Sequence, residues 1–209
     1  MKRLVAAGMA VVLTGPWLVA QGGRPASPAG ASATQVGGKY TNPPGADEPV
    51  YSGGKWIEIT FGRPIKRGRD LWGSGADYGK KLNGGAPVWR AGANVTTRLK
   101  TEVPLVINNK TVPAGEYSMF IDLKPNNWTL IISSWPAQTK YDPSNKNALW
   151  GSFGYTPDKD VVRAPMKVET MPFSMDQLTW SFYNVTTDGG LMGVAWDKTM
   201  ATVPFKVGS

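Results

Sequence analysis

Three arginines stand among aromatic residues in this chain, and that combination has a definite chemistry. Arg63, Arg69 and Arg90 fall in or beside residues 62–97, together with Trp72, Tyr78, Trp89 and Asn94. A guanidinium is a planar fork of five donors that matches carboxylate, phosphate or carbonyl oxygens, and it also stacks on aromatic faces. Such a set serves one of two ends. It holds an acid, a phosphate or a sugar, or it satisfies the backbone groups of a long loop, which folding requires in any case. Arg63, Arg69, Tyr78, Trp89, Arg90 and Asn94 are the candidate ligand-binding residues, with both readings open.

Other chemistry is narrowed by what the chain lacks. Its 209 residues include no histidine and no cysteine. Ser-His-Asp and Cys-His nucleophiles are therefore excluded, as is any His- or Cys-based zinc or iron site. No cofactor and no metal site is expected. Catalysis would rest on carboxylates, Lys, Tyr, Ser or Thr. A glycosidase needs two carboxyl groups about 5–10 Å apart, and Glu58, Asp70, Asp77, Glu116 and Asp197 are the candidates. Asp142 and Asn145 loosely suggest a calcium loop, without its regular acidic spacing or closing Glu. Residues 73–80 superficially match a phosphate loop, but the spacing is wrong and no Ser or Thr follows Lys80.

The ends and the charge of the chain narrow its setting. Residues 1–20 join Lys2 and Arg3 to an apolar run and reach a small residue at Ala20. This pattern predicts a secretory signal cut near Ala20, hence a secreted or periplasmic protein. A membrane anchor needs about 20 unbroken apolar residues, and Gly15-Pro16 interrupts this run. After signal removal no integral membrane segment is expected. Residues 21–47 are rich in Gly, Pro, Ala and Ser and predict a flexible linker. Residues 48–209 predict one domain, and about 160 residues bury roughly 70% of their unfolded surface without disulfides.

The formal net charge is +8; without Lys2 and Arg3 the balance is 21 basic to 15 acidic residues. Such a surplus favours acidic partners such as anionic glycans or phospholipid surfaces. Nucleic acid is not expected, because the bases are scattered and the chain reads as exported.

Period-two alternation dominates from residue 55 onward, and no window carries a helical stripe. Residues 55–61 set Ile57, Ile59 and Phe61 against Trp56, Glu58 and Thr60. Residues 98–107 read as one half-solvated strand, and Asn108-Asn109-Lys110 as a hairpin turn. Residues 116–123 place Tyr117, Met119, Ile121 and Leu123 on one face, with Glu116, Ser118, Phe120 and Asp122 on the other. Residues 128–133 and 178–182 follow as strands, then 191–196 and 199–207. Pro165 marks 160–169 as an edge or bulged strand. Nine or ten short strands with frequent turns predict an all-β antiparallel sandwich or partly closed barrel. Residues 62–86 are the irregular exception, and loops of that length tend to be functional. Among the tryptophans, Trp180 reads as core; Trp56, Trp128 and Trp135 are undecided between core and carbohydrate platform.

Several motifs in order resemble the domain-of-unknown-function 2911 family, found mostly in exported bacterial proteins. They are Gly62-Arg63-Pro64 with Lys66-Arg67-Gly68-Arg69, Leu71-Trp72-Gly73, Tyr78-Gly79-Lys80, and Val88-Trp89-Arg90-Ala91-Gly92-Ala93-Asn94 with Thr96-Thr97. Val112-Pro113-Ala114-Gly115-Glu116-Tyr117-Ser118-Met119-Phe120, Trp150-Gly151-Ser152-Phe153, Asp160-Val161-Val162-Arg163 and Trp196-Asp197-Lys198-Thr199 with Val203-Pro204 continue the match to the C-terminus. Two departures stand out. Residues 81–87 separate blocks that usually adjoin, and Val95 stands where an acidic residue commonly follows the Asn. The resemblance implies export and a β-rich fold and carries no activity. The expected function is a non-catalytic binding module for a small or anionic ligand, a glycan or an envelope component. A carboxylate-dependent hydrolase acting on a glycan or ester, and a structural or assembly module, are the alternatives.

Overall fold

The structure, a computed structural model, describes residues 26–208, so the predicted signal at residues 1–20 lies outside the described residues. The alternating stretch 55–61 is β4 (Lys55–Gly62), with Ile57, Ile59 and Phe61 buried and Glu58 and Thr60 half-buried. Beside it runs β5 (Thr97–Thr101), which buries Thr97, Leu99 and Thr101 and exposes Arg98 and Lys100. With β1 (Ala29–Val36), β8 (Gly115–Asp122), β9 (Thr129–Ser133) and β10 (Asp160–Pro165) they form an antiparallel sheet ordered β1-β4-β5-β8-β9-β10. The facing sheet is ordered β11-β12-β6-β7, from β6 (Leu105–Ile107), β7 (Lys110–Val112), β11 (Lys167–Thr186) and β12 (Gly189–Val207). A small hairpin, β2 (Lys39–Thr41) with β3 (Val50–Ser52), stands apart. The fold is an all-β sandwich with no closed barrel.

The alternation works because each strand buries one face between the sheets. Asn108 and Asn109 take positive φ, 49° and 59°, which is what a two-residue hairpin turn demands. Pro165 ends β10 at the sheet edge, where a missing N–H costs no ladder bond.

Five expectations are corrected. Residues 29–36, read as flexible linker, form β1 and pair along all eight residues with β4. Composition misleads there because an edge strand of Gly, Ala and Ser is held by its backbone, with only Val36 fully buried. Residues 98–107 do not form one strand: the chain leaves the first sheet after Thr101 and enters the second at Leu105. Residues 191–207 are one long strand, not two, because Asp197 absorbs an irregularity in left-handed geometry (φ 52°). Twelve strands are present among the described residues, and two of them run to 20 and 19 residues.

Phe120, placed by alternation on a polar face, is also fully buried. The connection after Ser133 folds back over the outer face of the six-stranded sheet. There Phe120 and Ile131 pack with Val88, Leu149 and Tyr155 in a second small core, with Trp135 against it. Thr96 Oγ1 pins this cover by donating to the carbonyls of Leu149 and Gly151, at 3.0 and 2.9 Å. No helix among the described residues is long and apolar enough to cross a membrane.

The irregular segment begins where β4 ends, and its first residue is in the tightest approach in the fold. A Cβ on Gly62 would lie 1.9 Å from the Ala93 carbonyl oxygen, a backbone atom that has no rotamer to escape into. We therefore expect Gly62→Ala to cost about 3 kcal/mol or more in urea unfolding, the upper range of overpacking effects. Ala31→Gly, on an exposed face of β1, serves as the control and should cost under about 1 kcal/mol.

Candidate functional site

The chain returns to the first sheet at Trp89, whose N–H and C=O exchange bonds of 2.9 and 2.8 Å with Ile121. That bridge drives the indole inward, where it is 1% exposed. It stacks on Trp196, with centroids 6.2 Å apart and planes 13° from parallel, and meets Trp72 and Trp128 edge-on at 5.9 and 6.3 Å. Trp72 also contacts Trp128 at 4.7 Å and Trp196 at 6.2 Å. Four indoles from the irregular segment, the Trp89 bridge, the start of β9 and β12 thus share one contact.

Buried indole N–H groups need acceptors. Trp128 donates to the Tyr78 hydroxyl at 2.9 Å, Trp180 to the Ala91 carbonyl at 2.9 Å and Trp196 to the Asp176 carbonyl at 3.2 Å. Trp72 Nε1 is buried with no partner among the described residues.

The six candidate residues are distributed through this framework. Trp89 and Tyr78 belong to the tryptophan cluster. Arg63 donates to the Leu178 carbonyl and the Thr179 hydroxyl at 3.3 and 3.2 Å, tying β4 to β11. Arg69 donates to the carbonyls of Ile65 and Lys66 at 2.6 and 3.0 Å, with its guanidinium 5.9 Å from the centroid of the Trp196 ring. Arg90 donates to the Asn94 carbonyl at 2.8 Å, and burial lowers its pKa from the usual arginine value. Asn94, in left-handed geometry at φ 62°, donates its side-chain amide to the Ser27 carbonyl. All three guanidinium groups and the Asn94 amide make bonds to the fold itself.

The carboxylates are similarly engaged. Asp197 accepts from Lys66 Nζ at 2.5 Å and from Ser174 Oγ at 2.7 Å, and the Lys66 bond holds its carboxyl below the ordinary range. Asp70 accepts from the Gly73 N–H, and Asp77 pairs with Lys80 at 3.0 Å. Glu58 and Glu116 share the open outer face of the first sheet, but Lys100 stands directly between them in register. Asp122 and Asp160 flank Arg163 at 3.1 and 2.9 Å. The Tyr155 hydroxyl donates to Asp160, and burial together with that bond raises its pKa. Asp142, the calcium-loop candidate, is occupied by the Ser144 N–H and hydroxyl at 2.9 and 2.6 Å.

A concave site does exist, around Asp142 and Asn145, which the sequence suggested only loosely as a calcium loop. Residues 138–154 enclose a cleft of about 500 Å³ lined in part by Tyr141, Trp150 and Phe153. Gln138 frames it: the carbonyls of Asp142, Asn145 and Ala148 share the two N–H groups of its buried amide, and its oxygen accepts from the Asp142 N–H. Tyr141 and Phe153 remain 58% and 53% exposed, and Tyr141 meets Trp150 at 5.7 Å. The signal in the sequence is three aromatics within a connection otherwise full of Asn, Lys, Ser and Gly. Alternation says nothing about such residues, because no strand carries them.

A family model described as "Protein of unknown function (DUF2911)" matches residues 46–205. No curated protein and no solved structure matches the chain.

Removing the Asp197 charge tests how far this framework is ionic. A carboxyl with a lowered native pKa adds stability above its unfolded value, near pH 4, and loses it as pH falls through the native value. Asp197→Asn, which tolerates the same left-handed backbone, should be about 1 kcal/mol less stable at pH 7. Its deficit relative to wild type should shrink as urea unfolding is repeated from pH 5 down to pH 2.

Proposed function

The chain belongs to the DUF2911 family, and on that premise we propose that it is an exported, non-catalytic binding module whose small ligand sits in the cleft of residues 138–154. The observation that carries this reading is the Gln138 amide, four of whose bonds hold the cleft-forming loop in one conformation. A site ordered before its ligand arrives avoids the entropy of ordering a loop on binding. The cleft falls within the usual range of ligand sites, about 300–1,000 Å³, with aromatic walls and a few polar groups. Asp142, Asn145 and Lys146 supply those groups beside Tyr141, Trp150 and Phe153.

Two further considerations favour binding over hydrolysis. The carboxylates proposed as an acid–base pair are either bonded to cations and loop N–H groups or separated by Lys100. Arg90 and Asn94 each bond the fold, whereas the cleft is concave and keeps Tyr141 and Phe153 open to solvent. Export rests on the secretory pattern of residues 1–20 with a cut near Ala20, and the absence of cysteine suits a chain that folds without disulfides.

A thermal-shift panel of small organic acids and organic phosphates, all without a sugar ring, tests the reading. A compound present at about 100 times its Kd adds about 2.7 kcal/mol, which raises Tm by roughly 5–10 °C for a domain of this size. Trp150→Ala should abolish the shift while leaving the unliganded Tm within a few degrees. A panel that moves the wild type nowhere, or shifts that survive Trp150→Ala, would contradict the assignment.

A further inference from the structure

We propose that Tyr40, Tyr51 and Trp56 form a second binding site, separate from the cleft, that takes a pyranose ring of a glycan chain. Tyr40 is 72% exposed, and Trp56, at 44%, is the one exposed tryptophan among the described residues. They border a hollow of about 660 Å³ whose other walls include Gln35, Lys39 and the β11–β12 turn at Val185, Thr186 and Thr187.

Each ring is held. The Trp56 N–H donates to Glu102 Oε2 and its C=O accepts from the Glu102 N–H, both at 2.9 Å, which fixes the exposed start of β4. The Tyr51 hydroxyl accepts from the Gly38 N–H at 3.0 Å. Its ring fills a slot that a Cβ on either Gly38 or Gly54 would invade to 2.5 Å. Tyr40 packs edge-on against Tyr51 at 5.1 Å. The Gly37 N–H donates to the Thr187 carbonyl at 2.8 Å, so the approach to the hairpin is tied to the far wall of the hollow.

The chemistry of the lining selects the ligand. A sugar ring presents a face of C–H groups that packs on an aromatic ring, and a rim of hydroxyls that need hydrogen-bonding partners. Exposed indole and phenol rings supply the first. The Gln35 amide, the Lys39 ammonium and the Thr187 hydroxyl supply the second, and Lys39 forms no salt bridge among the described residues. Polar groups spaced between the aromatics fit a polyol better than a continuous apolar partner surface. Gln35, Lys39 and Tyr40 precede the family-matched region, which begins at residue 46, whereas Tyr51, Trp56 and residues 185–187 lie inside it. The site is therefore a joint product of the family fold and the strand and hairpin that lead into it.

The test titrates the full chain with three soluble probes: a β-1,4-linked glucose hexasaccharide, a β-1,4-linked N-acetylglucosamine hexasaccharide and an α-1,6-linked dextran. Calorimetry and tryptophan emission are read together. At least one probe should bind, with Trp56→Ala and Tyr40→Ala each weakening it about tenfold, the equivalent of losing one aromatic contact. Trp150→Ala, in the cleft, should leave that affinity within about twofold, so failure of the cleft reading and failure of this one are separable. Both substitutions at the site are of exposed side chains and should leave the unfolding midpoint nearly unchanged. Absence of binding by all three probes, or binding lost with Trp150→Ala and kept with Trp56→Ala, overturns the proposal.

Discussion

The sandwich depends on one buried indole contact. Trp89 comes from neither sheet's regular strands, yet its backbone pairs with Ile121 and its ring touches Trp72, Trp128 and Trp196. Through these contacts the irregular segment, the six-stranded sheet and β12 of the four-stranded sheet become mutually dependent. An aromatic of this size removes a large apolar area from water, and its neighbours cannot close the gap if it is lost. The surrounding residues make sense only around it: Gly62 and Ala93 come into backbone contact, and Ala91 accepts from Trp180.

That constraint gives the arginines a structural task. A long irregular segment carries backbone carbonyls that strand ladders do not reach, and burying them unpaired is expensive. Arg63, Arg69 and Arg90 answer this need by bonding carbonyls of β11, of the segment itself and of the 90–94 turn. Charged donors are well suited to the task because their hydrogen bonds are stronger than neutral ones. Aromatic rings remain open to solvent on surfaces that the sandwich does not need, in the loop over the six-stranded sheet and at the β2–β3 hairpin.

Much of the fold was legible because alternation reports burial directly. Ile57, Ile59 and Phe61, or Leu178 and Trp180, cannot face water as a set, and the strands follow from that. The failures share a cause as well. β1 is a strand by virtue of backbone pairing with β4, and small side chains leave no apolar pattern to read. Phe120 is buried by a loop that folds back from far along the chain, and local periodicity carries no knowledge of that cover. The block around Trp89 was visible as unusual, but whether an Arg–Trp–Asn run faces inward or outward depends on partners such as Trp180, Ser27 and Trp196, distant in sequence. Trp56 and Trp128 were indistinguishable by sequence; Trp56 lies on the outer face of β4, whereas Trp128 enters the core at the mouth of β9.

The most direct measurement is the urea unfolding free energy of Trp89→Ala against wild type at neutral pH. If this indole holds the sheets and the irregular segment together, its truncation costs about 4 kcal/mol, in the range seen for large aromatics removed from packed cores. A loss within about 1 kcal/mol would mean that the tryptophan contact is dispensable and that the Val88-Trp89-Arg90 block does not serve as the scaffold described here.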